Sequence, residues 1–224
     1  MIVIYALIGL IVGGLINLLA EALPRHRSIP PIRSLFQRPI KLRYLIVEVM
    51  TAVVFAFLYS RPDFADPIKL GLASFHISVL ILVTVTDLEH RLIPNRVILP
   101  AIAVAALTSP LWFGPGWYLA LLGGAIGYGF FWLAAVIGGR FIGRGAMGGG
   151  DVKLAAFVGL ITGFPGVITA LVVTILAGGI ISLLLLLLRV VNLRSGIPYG
   201  PFIVLGGFTT LVWGSQIVLR FFYG

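Results

Sequence analysis

Two aspartates carry the chemistry open to this chain. Asp151 follows three glycines in Gly148-Gly149-Gly150-Asp151-Val152-Lys153, and Asp87 opens the polar stretch Asp87-Leu88-Glu89-His90-Arg91. Both interrupt sequence that is otherwise compatible with lipid, where a charged side chain costs at least ~2.5 kcal/mol by insertion scales. A carboxylate kept at that cost points to function. Brought together at a water-accessible boundary, two carboxylates share one proton, because like charges a few ångströms apart do not both ionise cheaply. One then activates water as a base while the other, protonated, polarises a carbonyl group, which is the requirement for aspartyl proteolysis. The same pair could instead relay protons or hold a cation.

The two sites are not equivalent. Asp151 opens a helix, where backbone N–H groups and the dipole favour an anion, whereas Asp87 is expected to follow a helix and meet its unfavourable C-terminal end. Asp87 is therefore the expected holder of the shared proton. Gly148 and Gly150 lack a Cβ, so the backbone beside Asp151 is free to take φ > 0 and to admit an extended peptide.

Each feature also has a purely structural reading. Asp151 could be an ordinary helix N-cap, and Asp87 loop charge that merely stops a helix. Gly13-Gly14, Gly123-Gly124-xx-Gly127, Gly178-Gly179 and Gly206-Gly207 read as close-packing positions between membrane helices. His76 lies inside an apolar run and reads as a packing residue, while no histidine or carboxylate spacing suggests a metal.

The elements that must position the aspartates are membrane helices. The chain is 60% hydrophobic and 10% charged, with a mean hydropathy of +1.13. An ordinary soluble domain carries about 25% charged residues. With no cysteine, disulfides, thiolate zinc sites and cysteine nucleophiles are excluded. Eight apolar segments follow in order: Ile2 to Leu23, Leu45 to Ser60, Leu70 to Thr86, Val97 to Phe113, Trp117 to Gly138, a short piece from Val152, a full span ending at Leu188, and Gly200 to Phe222. Gly163-Phe164-Pro165-Gly166 divides the sixth from the seventh. The first segment lacks a basic n-region and a small-residue cleavage pattern, and reads as a retained helix. Pro24 to Arg43 is a short basic loop. The expected fold is all-α and polytopic, a single integral membrane domain over residues 1–224.

The net charge of +9 would suggest nucleic acid in a soluble protein, but here topology accounts for it. The loops after segments one, three, five and seven hold Arg25, Arg27, Arg33, Arg38, Lys41, Arg43, Arg91, Arg96, Arg140, Arg144, Lys153, Arg189 and Arg194. The other side has Arg61, Lys69 and Arg220. Thirteen of the sixteen Lys and Arg residues thus lie on one side. The excess marks the cytoplasm, which puts both termini outside and both aspartates at the cytoplasmic face. The basic loops suit anionic lipid headgroups.

Three stretches together resemble the signatures of the type IV prepilin leader peptidases, GxGD-type intramembrane aspartyl proteases. They are Asp87-Leu88-Glu89-His90-Arg91-Leu92-Ile93-Pro94-Asn95, then Gly148-Gly149-Gly150-Asp151-Val152-Lys153, then Ile197-Pro198-Tyr199-Gly200-Pro201-Phe202. Gly14-xx-Asn17 with Leu23-Pro24-Arg25 is similar to the family's first helix and its exit, and Arg43-Tyr44-xx-Val47-Glu48 to the start of its second. The resemblance implies that Asp87 and Asp151 are the catalytic pair, that Gly148 and Gly150 shape the approach to Asp151, and that Lys153, Glu48, Glu89, Pro94, Asn95, Pro198, Gly200 and Pro201 support the site. It implies as substrate a prepilin or pseudopilin with a short basic leader ending in Gly, cut at the cytoplasmic edge of a bacterial inner membrane. The basic loops would repel such a leader, which leaves Glu21, Glu48 and Glu89 as acidic candidates to receive it.

The departure from the family pattern is the missing Cys-x-x-Cys pairs of the first cytoplasmic loop, which in many members form a zinc-stabilised module. Many members also methylate the new N-terminus with S-adenosylmethionine; proteolysis itself needs no cofactor. Two rivals stay open at the level of sequence. One is a small ion- or proton-coupled transporter built on the aspartate pair, for which the break at Gly163 to Gly166 speaks. The other is an inactive scaffold of a pilus assembly machine.

Overall fold

The computed structural model describes residues 1–23, 41–141, 148–189 and 198–222. Every regular element among them is helical: α1 (Ile2–Ala22), α2 (Leu42–Ser60), α3 (Pro67–His90), α4 (Asn95–Phe113), α5 (Trp117–Phe141), α6 (Gly149–Thr162), α7 (Gly166–Leu187) and α8 (Gly200–Phe222), with short 3-10 turns before α3 and α5. Four stretches of single helices, α1, α2, α3 and α7, and the run from Asn95 to Arg140 through α4 and α5 are long and apolar enough to cross a membrane. The chain is a multi-pass membrane protein. Residues 24–40 of the basic loop lie outside the described residues, and its last three expected positions are not loop: Lys41 precedes α2, while Leu42 and Arg43 form its first turn.

The helices group into two compact units, Met1–Arg96 and Val97–Gly224. In the first, α1 lies along α2. A Cβ at Gly13 would stand 2.6 Å from the Cα of Glu48, so glycine is what lets the two backbones meet. Lipid offers no hydrophobic drive for helices to associate, and such contacts come from small residues and interhelical hydrogen bonds. Asn17 supplies the latter. Fully buried, it donates through Nδ2 to the Tyr44 carbonyl at 3.1 Å and to Glu48 Oε1 at 3.3 Å. α3 starts cleanly because Asp66 caps it, accepting from the Ile68 N–H at 3.2 Å, with Pro67 at its first position.

The second unit is built around α6. With 14 residues it is roughly 21 Å long, short of a ~30 Å hydrocarbon core, and from Leu154 to Ile161 it is apolar all round. Val152 and every residue from Leu154 to Ile161 are buried, as expected of a helix enclosed by protein on all sides. It packs on α5, α7 and α8. Its contact with α5 is backbone on backbone: a Cβ at Gly159 would overlap the Gly123 carbonyl, and one at Gly123 the Gly159 carbonyl. The chain leaves α6 at Gly163, whose φ of +61° few other residues adopt and whose Cα faces the Phe113 ring so closely that a Cβ would lie 2.8 Å from it. The Phe164 N–H then donates to the Leu119 carbonyl of α5 at 2.9 Å, tying the turn between α6 and α7 to the start of α5.

Candidate active site

Asp87 does not follow α3 but sits inside its last turn. The helix runs on through Leu88, Glu89 and His90 and ends at Arg91, which takes the left-handed conformation (φ 52°, ψ 40°) and donates its N–H to the Asp87 carbonyl at 2.9 Å. Asp87 is only 5% exposed, against the expectation of a loop residue. That burial was not visible locally. It remains within one turn of the C-terminal end, where unpaired carbonyls disfavour an anion. Beyond the helix, Leu92, Ile93, Pro94, Asn95 and Arg96 line a cavity of about 360 Å³ together with Leu23, so Pro94 and Asn95 do border a recess at this end of α3.

A polar cluster ties the same ends of α1, α2 and α3 together. Arg43 reaches Glu21 of α1 (Nη1 to Oε1, 3.4 Å) and pairs through Nε with Glu89 of α3. Tyr44 donates its hydroxyl to Glu21, and the Arg43 guanidinium lies 5.1 Å from the Tyr44 ring centroid. Glu89 also stands 3.8 Å from His90 Nε2. Glu21 and Glu89, expected as receivers of a basic leader, are thus engaged by the chain's own Arg43, and Glu48 by Asn17. His76 is buried in α3 with its ring edge-on to Phe75 at 5.7 Å.

Asp151 lies in the first turn of α6, two residues in, and is not the N-cap. Gly148 holds the cap position in extended conformation (φ −72°, ψ 138°) and accepts the Asp151 N–H at 3.1 Å. A Cβ at Gly148 would stand 3.3 Å from Asp151 Oδ2, whereas Gly149 faces open space. The expected φ > 0 is not found here. Gly148 has negative φ, Gly150 is helical, and among the described residues only Gly114 and Gly163 are glycines of positive φ. Gly148 therefore serves by leaving room beside the carboxylate, not by an unusual backbone. Lys153, two residues on from Asp151, lines a separate cavity between α5 and α6.

Tyr199 is the residue that sequence reasoning passed over. It stands just before α8, and its carbonyl accepts from Phe202 and Ile203 at 3.1 and 3.3 Å. Its ring lies 5.9 Å from Phe131 of α5 and 5.6 Å from Phe202. The phenol is held above the usual tyrosine range by burial first and then by the negative charge of Asp151. Pro198, Gly200 and Pro201 flank it in sequence where the chain enters α8. The signal was the tyrosine inside that Pro-Tyr-Gly-Pro run. Among the described residues no three of His, Asp and Glu gather as metal ligands would.

Comparison with known proteins adds the family. The profile of the type IV leader peptidase family matches residues 74–183, a stretch that holds both aspartates. The chain is 34% identical over 201 residues to the prepilin leader peptidase/N-methyltransferase of Bacillus subtilis, covering 85% of this chain and 77% of that protein. It is 28% identical to the Xanthomonas campestris protein of the same name (82% and 64% covered) and 28% identical to the Pseudomonas aeruginosa one (78% and 60%). Against those two it spans less than two thirds of the relative's length. No solved structure matches. With a relative matched at this identity over most of both chains, the protein belongs to the type IV prepilin leader peptidase family.

Proposed function

We propose that this chain is an aspartic endopeptidase that removes the short basic leader from type IV prepilins or pseudopilins, with Asp87 and Asp151 as its catalytic pair. The observation that carries the reading is the placement of the two carboxylates. In an apolar, helical member of a peptidase family, one is buried in the last turn of α3 and the other lies in the first turn of α6. Asp151, near the N-terminal N–H groups of its helix, is suited to the carboxylate form and takes a proton from water. The resulting hydroxide oxygen adds to the scissile carbonyl carbon, and the proton held by Asp87 passes to the carbonyl oxygen. Collapse of the tetrahedral intermediate returns a hydroxyl proton to Asp87 and breaks the C–N bond, and the amine leaves with the proton that Asp151 collected. The products are a leader with a new carboxylate and a mature chain with a free amino terminus.

The charge distribution supports cleavage at the cytoplasmic face of a bacterial inner membrane, with eight segments crossing it, both termini outside and residues 1–224 working as one peptidase domain. The relatives' names pair peptidase with N-methyltransferase, which supports S-adenosylmethionine as a methyl donor for the new amino terminus. The leader's cations would meet Glu21, Glu48 and Glu89 only by displacing Arg43 and Asn17 from them.

The test is cleavage of a prepilin by the purified protein in vesicles, read by mass, with Asp87→Asn and Asp151→Asn measured beside the wild type. Each variant should lose at least ~100-fold in rate while keeping its thermal unfolding. Substantial cleavage by either variant would end the aspartyl reading. Methylation is scored separately, with labelled S-adenosylmethionine on the cleaved product.

A further inference from the structure

The cavity between α5 and α6 holds about 370 Å³ and is lined by Tyr128, Trp132 and Val136 of α5 and by Gly149, Val152 and Lys153 of α6. Its origin is in the sequence. Around Gly123 and Gly159 the two helices touch backbone to backbone, and Gly127 meets Ala155 in the same way. Toward the start of α6 the glycine on α5 gives way to Tyr128, Trp132 and Val136, while Gly149 presents nothing to fill the gap. The result is a fork, closed at one end and open at the other.

The fork is not part of the reaction site. At 100° per residue, Gly149, Val152 and Lys153 share one face of α6, and Asp151 falls roughly 150° around the helix from its centre. Tyr128, Trp132 and Val136 are 48%, 52% and 48% exposed, which in a membrane protein means that they face lipid. The walls are apolar, and a cation flanks the open end: Arg140, exposed in the last turn of α5, follows Val136 by one helical turn. Lys153 lines the cavity nearer its closed end, two residues short of the contact between Ala155 and Gly127. Trp and Tyr are the side chains favoured at headgroup level. A basic leader would be repelled here, and an incoming helix about 10 Å across would fill such a volume in roughly one turn. An acyl chain is slimmer and as apolar as these walls.

We propose that the α5/α6 fork is a binding site for an anionic phospholipid, with an acyl chain between Trp132 and Val152 and the phosphate held by Arg140. The lipid completes the packing of the first turn of α6. This site stands whether or not the chain cleaves prepilins.

The test is native mass spectrometry of the full chain released from detergent with equal amounts of phosphatidylglycerol and phosphatidylcholine. The wild type should retain one phosphatidylglycerol with a preference of about fivefold or more, the size expected for one cation near a headgroup. Arg140→Gln should reduce that retention severalfold, and Val136→Trp, which fills the fork, should abolish it. Equal retention of the two lipids by the wild type would overturn the proposal, as would unchanged phosphatidylglycerol in Arg140→Gln. A benzophenone side chain placed at position 136 gives an independent readout: capture of lipid supports the site, and capture of a prepilin in its place refutes it. Should Val136→Trp fail to fold, the wild-type preference, Arg140→Gln and the cross-link decide.

Discussion

Tyr199 occupies the space that a side chain at position 178 would need: a Cβ on Gly178 would stand 3.0 Å from both its hydroxyl oxygen and its Cε2. Gly178 of α7 thereby sets where the phenol can be, and the phenol in turn lies within the field of Asp151. Gly178→Ala should push Tyr199 aside and lower the cleavage rate about tenfold, a cost near 1.4 kcal/mol. Gly179→Ala should not, because position 179 faces open space. A side-by-side cleavage assay at equal expression checks the pair, and equal activities would mean that the position of the Tyr199 phenol does not bear on cleavage.

The same phenol gives a pH signature. Its proton is held above the usual tyrosine range in the folded protein by burial, then by Asp151. Above pH ~10 the unfolded chain loses this proton while the folded one keeps it, so stability is full below that pH and falls as pH rises toward the folded value. Tyr199→Phe should remove that alkaline loss. Thermal unfolding between pH 8 and about 11.5 should show the wild type falling faster than the variant.

Glycine substitutions in and around α6 should divide sharply. Gly159→Ala drives a methyl group into the Gly123 carbonyl, with no flexible side chain to yield, and should destabilise by about 3 kcal/mol or prevent folding. Gly149→Ala meets nothing within contact distance in a helical first turn. It should be neutral or stabilising by up to ~1 kcal/mol. Unfolding midpoints in one detergent decide the comparison.

Arg43→Gln removes the charge that Glu21 and Glu89 share. The side chains are about one-third exposed (28%, 34% and 31%), so solvent weakens the pairing and the loss should be modest, about 1 kcal/mol. It also frees both carboxylates. If they receive the basic leader, KM for a prepilin should fall while kcat changes little; a rise in KM would show that Arg43 itself organises the docking surface.

Much of the fold was legible because hydropathy fixes where helices lie. The observed α1, α4, α7 and α8 begin and end within two residues of the apolar runs, and the break at Gly163 falls where the Gly-Phe-Pro-Gly run placed it. The failures share one cause, partners supplied by other helices. Arg43 read as loop charge, but Glu21 and Glu89 let it stand in the first turn of α2. Asp87 read as the end of α3, but the helix runs on to His90 and leaves Asp87 buried. Tyr199 had a motif around it and no reason to be chosen until Asp151 and Gly178 were seen beside it. The division into two compact units likewise left no mark on composition.

The brevity of α6 has a consequence for the supply of reactant. From the turn at Gly163, which is moored to the start of α5 by the Phe164 to Leu119 hydrogen bond, twelve helical steps back to Asp151 cover roughly 18 Å. Were that turn at one surface of a ~30 Å hydrocarbon layer, the carboxylate would stop roughly 12 Å inside the other. Hydrolysis at such a depth consumes a water molecule that the surrounding lipid does not offer. The rate of this enzyme is then tied to how readily a wetted channel, or a locally thinned bilayer, reaches down to the head of α6, and thicker membranes should slow it.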